Sequence, residues 1–366
     1  MRQLTEQSLE PLALGAALLG TGGGGDPYIG KLMAKQAIRD NGPVSVVDPE
    51  NLPDDALCAM SAVMGAPTVL VEKLPGEGEQ LAALTALEAH LGAKITHLTC
   101  AEIGGMNSTL PIVTAARTGL PLVDCDAMGR AFPEIQMSTP TLSGISASPI
   151  ALADDKGNSV VIDAVDNQWT ERMARSITID MGAVAFIALF VQSGAQVKES
   201  MIPRTLLLAE SIGDAIIQAR TEHRDPIQAV LDQISGFRIF RGKIVDVERR
   251  TVAGFARGRL TAEGLDDDTG RTMQIEFQNE NLIASSAGKT LASVPDLIAV
   301  LDWETGEPIT TEELRYGLRV QVVAAPCHEK WRSPQGLRLV GPRYFGYEID
   351  YVPVEELAAS RDQETR

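Results

Sequence analysis

Two aspartates one residue apart, Asp124 and Asp126, follow the short apolar run Leu120-Pro-Leu-Val123, and Arg130 and Glu134 come next at a spacing of four. The apolar run reads as a buried strand. Alternate residues of a strand share a face, so both aspartates would point the same way. If the next segment is helical, Arg130 and Glu134 share a face too, either as a simple ion pair or as an acid and a guanidinium working together. A further acid, Glu102, lies in the glycine-containing loop Ala101-Glu-Ile-Gly-Gly-Met-Asn-Ser108. Clustered acids can hold a divalent metal that lowers the pKa of its water, or one acid with a raised pKa can act alone as a base. The competing reading is a turn of solvated acids.

The elements around these residues have a βαβ rhythm. Residues 94–100 read as a strand and the loop carrying Glu102 follows, with Asn107 or Ser108 placed to cap a helix from Pro111 to Arg117. The strand ending at Asp124 comes next. Glu102 and Asp124 should therefore leave the same edge of one sheet, outside the carboxyl ends of its strands, where open α/β sheets place ligands. His97 alternates with Ile95 and Thr99 and reads as an ordinary sheet-face residue. No His pair stands at the spacing of a zinc hydrolase motif.

Near the N-terminus, Leu9, Leu12, Ala16 and Leu19 repeat at helical spacing and lead into Thr21-Gly-Gly-Gly-Gly-Asp-Pro-Tyr28. A nucleotide loop would follow a strand, and a P-loop would end in Gly-Lys-Ser/Thr; neither holds here. Asp26 before Pro27 has the form of a helix N-cap with proline at the first helical position. No nucleotide cofactor is expected. Gly23 and Gly24 are expected to pass close to a ligand or to another chain segment. Asp26 is either a cap alone or a cap that also reaches the site.

The whole chain is expected to form an α/β N-terminal domain with a βαβ-type sheet, a helical connector and a β-rich C-terminal domain. The boundaries are residues 1–170 for the domain carrying the candidate site and 171–366 for the rest. The latter divides into the connector (171–236), the β-rich unit (237–325) and an aromatic C-terminal segment (326–366). Within the connector, the apolar run 181–191 reads as a buried core helix, too short to span a bilayer, which takes ~20 residues. In the β-rich unit, Met273, Ile275 and Phe277 alternate with polar residues as in a half-buried strand. The last segment carries His328, Trp331 and Tyr344, either as a lid over the first domain's site or as packing at the domain seam.

In its 366 residues the chain has 44% hydrophobic and 22% charged residues, ordinary for a soluble protein, and a formal net charge of −17. That charge argues against nucleic acid or an anionic membrane as partner and leaves room for a small molecule held locally. Cys58, Cys100, Cys125 and Cys327 form no paired motif and fit a reducing cytoplasm.

Four stretches occur in a fixed order: Thr21 to Tyr28, Glu102 to Asn107, Asp124 to Glu134, and Gly341-Pro-Arg-Tyr-Phe-Gly346. Together they resemble the S-methyl thiohydantoin desulfurase-like family, associated with hydantoinase and oxoprolinase genes. The resemblance covers nearly the whole chain. It implies water attack on the ring carbon of an S-methylated thiohydantoin, release of methanethiol and a hydantoin product.

Such a hydrolysis needs an activated water, stabilisation of the adduct and a proton for the leaving group. If a divalent metal is used, Asp124, Asp126 and Glu102 are its ligand candidates. Glu134 is then the general base, with Asp126 beside it, and Arg130 binds a substrate carbonyl or carboxylate. Gly23, Gly24, Asp26, Asn107, Arg130 and Trp331 are the candidate substrate contacts. The alternative is a non-catalytic partner subunit of a hydantoinase/oxoprolinase-type complex, using the glycine loop and the C-terminal aromatics as an interface. The sequence leaves open whether the chain works as a homo-oligomer or beside such a partner.

Overall fold

The computed structural model describes residues 2–65, 69, 76, 78–252 and 255–364. Strand β1 (Arg2–Leu4), helix α1 (Leu9–Leu19) and helix α2 (Pro27–Asn41) open the chain. The first alternation follows: β2 (Val44–Val47), β3 (Leu57–Gly65), α3 (Glu79–Leu91), β4 (His97–Cys100), α4 (Leu110–Thr118) and β5 (Leu122–Asp126). Local chemistry sets several of these ends. The Asp26 carboxylate accepts from the Tyr28 amide at 2.7 Å with Pro27 at the first helical position, as the sequence predicts. Gly92 and Gly119 close α3 and α4 in the left-handed conformation.

After a short helix α5 (Thr139–Leu142), strands β6 (Ile150–Ala153) and β7 (Ser159–Ile162) form a hairpin, and α6 (Asn167–Asp180) leads to β8 (Val184–Ser193). Then come α7 (Gly194–Ser200), β9 (Ile202–Pro203), α8 (Thr205–Thr221) and α9 (Pro226–Ile234). One sheet takes β1 to β9 in the order β1-β2-β5-β4-β3-β8-β6-β7, with β9 paired to β5. Strands β2, β5, β4 and β3 are parallel, while β8 joins β3 in antiparallel sense.

Strand β8 corrects the helix expected over 181–191. It lies between β3 and β6 and is buried on both faces, so its apolar residues run unbroken and its period does not tell strand from helix. The first sheet continues to Pro203, so the stretch 171–236 is no pure helical connector. Pro203 ends a strand; α8 begins at Thr205, after Arg204 with φ 62.

The C-terminal unit is a second, antiparallel sheet. It contains β10 (Phe237–Val252), β11 (Phe255–Gly264), β12 (Thr272–Gln278), β13 (Glu280–Ser286), β14 (Lys289–Ser293), β15 (Leu297–Asp302) and β16 (Arg319–Ala325). Their order is β14-β13-β12-β11-β10-β16-β15. The alternation 272–278 forms β12 as read. Helices α10 (Pro334–Val340) and α11 (Val354–Glu364) finish the chain. The two units share their cores. Leu12, Leu206 and Ile212 of the first unit belong to one buried cluster with Leu297 and Leu301 of β15 and Val323 of β16. Among the described residues no helix is long and apolar enough to cross a membrane.

Within the first unit, β5 is tied to α8 by Asp124. The buried carboxylate accepts from the Leu206 amide at 2.9 Å and the Leu207 amide at 3.3 Å, and Arg2 lies 3.6 Å away. It caps a helix whose own N-cap residue, Arg204, supplies no side-chain bond. Asp124→Ala should cost about 1–3 kcal/mol, the range for a lost cap and unsatisfied buried amides. Urea unfolding measures this; an unchanged midpoint would show that the cap carries no weight.

Candidate functional site

Strands β4 and β5 are parallel neighbours, with Cys100 opposite Asp126, so both release their loops at one edge. Asp126 organises that edge. One of its oxygens accepts from the amides of Ile103 at 2.9 Å, Met128 at 3.0 Å and Gly129 at 2.8 Å, which fixes the loops after both strands. Burial nevertheless pushes its carboxyl up to about 7, against these three amides.

The segment after β5 is not a helix, which corrects the expected pairing of Arg130 with Glu134. Gly129 turns the chain at φ 73. Arg130 instead lies fully buried, and all five of its donors are taken. Nε donates to Ala131 O at 3.0 Å, Nη1 to Asp296 O at 2.6 Å and Pro295 O at 3.3 Å, and Nη2 to Thr21 Oγ1 at 2.8 Å and Asn281 O at 3.3 Å. It is a strut between the glycine loop, the loop after β5 and the second sheet. With no donor left, it does not grip a substrate.

Glu102 leaves the end of β4 into a cavity of about 100 Å³, a volume on the scale of one small ring. Asn107 holds it: Nδ2 donates to Glu102 Oε1 at 2.7 Å, while Asn107 Oδ1 accepts from the Val63 amide at 2.7 Å. The other oxygen, Oε2, is buried without a hydrogen-bond partner. Burial pushes the Glu102 carboxyl up to about 7, opposed by the Asn107 bond and by the nearby Phe132 backbone amide. Met60, Met64, Met128, Leu189 and Phe190 give the cavity a soft, apolar wall.

The opposite wall comes from the C-terminal sheet. Asn279, at φ 57, turns the chain from β12 into β13 and sets Glu280 into the cavity. Glu280 is 2% exposed and its Oε2 has no partner. Burial, with the nearby Glu102 charge, raises its carboxyl well above the usual range, against the pull of Arg130. The glycine loop makes room for this side chain. A Cβ on Gly23 would stand 2.1 Å from Glu280 Oε1, and one on Gly24 would stand 2.7 Å from Gly104 O. Gly24 O accepts from the Met106 amide at 2.9 Å. The loop therefore passes close to other chain segments, as the sequence predicts for such a backbone.

Glu134 sits at the cavity wall that faces a second, more open groove of about 520 Å³. Its Oε2 accepts from Tyr344 Oη at 2.8 Å and from the Gln136 side-chain amide. Arg175 borders both spaces, pairs with Glu171 and donates to Pro133 O at 3.1 Å, which steadies the loop carrying Glu134.

Of the candidate residues, Glu102, Asn107, Glu134 and Gly24 meet at the cavity, and Gly23 lies behind Glu280. Asp124, Asp126 and Arg130 do not line it; Asp124 Oδ1, Asp126 Oδ2 and the Arg130 guanidinium are held by the structural bonds above. Asp26 caps α2 and borders a different groove, beside Lys31 and Glu313. Trp331 is fully buried at the seam, its indole donating to Met128 O at 2.8 Å and its ring edge-on to Phe132. Among the described residues no group of three or more His, Cys, Asp or Glu side chains is placed to hold a metal ion. Asp124 and Asp126 do not meet Glu102 at the cavity, and one oxygen of each aspartate, Asp124 Oδ1 and Asp126 Oδ2, is held by backbone amides. Sequence reasoning misses Glu280. Its one signal is the polar triplet Asn279-Glu-Asn281, where the alternation of β12 stops.

Fold and site together define a two-domain protein, α/β and antiparallel β, with an acid-lined cavity at the seam. Residues 7–164 match the S-Me-THD-like N-terminal domain, and residues 165–354 match the S-Me-THD-like C-terminal domain. The chain belongs to the S-Me-THD-like family. It is similar to a protein from Chromobacterium violaceum whose crystal structure came from structural genomics, with a TM-score of 0.82 and 25% identity, covering 97% of this chain and 100% of that one. Among curated proteins none matches this chain.

Because Arg130 satisfies carbonyls on both sides of the seam, Arg130→Met should destabilise the protein by about 3–5 kcal/mol, as for other broken buried charge networks. Denaturant unfolding should report it. A loss below about 1 kcal/mol would contradict the role of strut.

Proposed function

We propose that the chain is a hydrolase of small cyclic amides or thioamides, acting on S-methyl thiohydantoin-type rings. Water attacks the ring carbon between the two nitrogens, methanethiol leaves and a hydantoin remains. One observation carries this reading: Glu102 presents an unpartnered oxygen to a ring-sized cavity, with its carboxyl at about 7. A base is most effective when its pKa lies near the working pH. Asn107 fixes the carboxylate's other oxygen, so the free one keeps a constant direction. The methionines at 60, 64 and 128 suit a polarizable methylthio group. Glu134, held by Tyr344 and Gln136, is placed to accept a ring N–H from the outer wall rather than to act as the base. Four unpaired thiols, three of them buried, support a reducing compartment such as the cytoplasm.

The partner-subunit alternative has one observation in its favour. Val165, Trp169, Met173 and Ile179 expose apolar side chains along and just before α6. Purified chain that releases thiol unaided would exclude it.

The direct test is thiol release from a panel of S-alkyl thiohydantoins. Glu102→Gln should lower kcat/KM by about 10²- to 10⁴-fold; a variant as fast as the wild type would overturn the assignment. Because Glu102 must be ionised to accept a proton, wild-type kcat/KM should fall as pH drops through about 7.

Stability should move the other way. The folded pKa of about 7 lies above the ordinary 4.5, so the contribution of Glu102 to stability is full below about pH 4.5 and is lost as pH rises through 7. At pH 8, Glu102→Gln should therefore be more stable than the wild type, by on the order of 3 kcal/mol. At pH 4 the difference should vanish. Equal unfolding curves at both pH values would contradict the raised pKa.

A further inference from the structure

We propose that Glu280 is the second proton-transferring residue of this reaction, working opposite Glu102 from the C-terminal domain through the opening left by the four-glycine loop. The inference rests on the hydrolytic reading above. Its geometry is independent of it: Glu280 is 2% exposed, lines the same cavity as Glu102 and keeps one oxygen without a partner. An orphaned buried carboxyl oxygen is costly unless a ligand or a proton satisfies it. The glycine loop supports the same conclusion. Any side chain at Gly23 would occupy the place of Glu280 Oε1, with its Cβ at 2.1 Å. The loop, which binds no nucleotide in this reading, thereby gains a purpose.

Charge fixes the division of labour. The ionisable groups acting on Glu280 are Glu102, Arg130 and Glu312, and those acting on Glu102 are Asp126 and Arg130. A single buried guanidinium can balance one carboxylate of the facing pair, so the other stays protonated. Burial and the Glu102 charge make Glu280 the protonated member.

The steps then balance. The water oxygen bonds to the ring carbon and its proton passes to Glu102. The electron pair of the ring C=N bond moves to nitrogen, which takes the proton of Glu280. On collapse the hydroxyl proton returns to Glu280 as C=O forms. The C–S bond breaks, and Glu102 hands its proton to the departing sulfur. Methanethiol and hydantoin leave, and both carboxyls regain their starting states.

Infrared difference spectroscopy of the full chain, wild type minus Glu280→Gln, tests this without substrate. A protonated-carboxyl band should be present at pH 8 in the wild type and absent from the variant. In Glu102→Gln it should titrate at lower pH, because the like charge that raises it is gone. If Glu280→Gln does not fold, wild type labelled with ¹³C at the glutamate carboxyls gives the same reading. No protonated glutamate at pH 8 would overturn the proposal. With S-methyl thiohydantoin, Glu280→Gln should lose about 10²- to 10⁴-fold in kcat and lose the alkaline fall of the wild-type pH profile. An unchanged rate would overturn the catalytic role. A wild type that holds the band but releases no thiol would instead overturn the reaction assigned above, and with it the role of Glu280, while leaving the paired protonation standing.

Discussion

A buried guanidinium with all five donors engaged holds this molecule together at its functional seam. Arg130 reaches Thr21 in the glycine loop, Asn281 beside Glu280, and the carbonyls of Pro295 and Asp296. Each partner belongs to a segment that frames the cavity or the sheet behind it. Taking the charge out of water is costly, and only complete hydrogen bonding offsets that cost. The position of Glu280 relative to Glu102 therefore depends on one side chain that touches neither substrate nor solvent.

The same burial shapes the chemistry. Glu102, Asp126 and Glu280 are all carboxyls whose charged forms are disfavoured by lost hydration. Asp126 gives one oxygen to three amides and serves the loops, while its Oδ1 is buried without a partner and does not line the cavity. Glu102 and Glu280 each keep an oxygen uncompensated, and both face the cavity. Buried acids with perturbed pKa values in a cleft are what proton transfer near neutral pH requires. Position at the cavity, and not the tally of hydrogen bonds, separates Glu102 and Glu280 from Asp126.

Local signals make much of the fold readable from sequence. The cap at Asp26 and Pro27, the stop at Gly92 and the alternation through Met273, Ile275 and Phe277 are short-range and legible. Strand β8 is not, because a strand buried on both faces carries no alternation. The loop from Ala127 to Ser138 is not, because Arg130 is set there by partners more than a hundred residues away. Glu102 and Asn107 can be found, since their loop follows a strand and precedes a helix. Glu280 is marked only by the polar triplet at 279–281, since the groups it meets across the cavity come from the other domain. Asp124 has the right residue type near a strand end, but its Oδ1 serves the amides of α8 and its Oδ2 faces Arg2.

The central claim is that acids from both domains address one ring in the seam cavity. Crystals soaked with hydantoin, the product of the proposed reaction, test it most directly. The account requires the ring in the cavity, its carbonyl between the carboxyls of Glu102 and Glu280 and its edge toward Glu134. A ring bound only in the outer groove beside Arg172 and Tyr344, with the seam cavity empty, would contradict it.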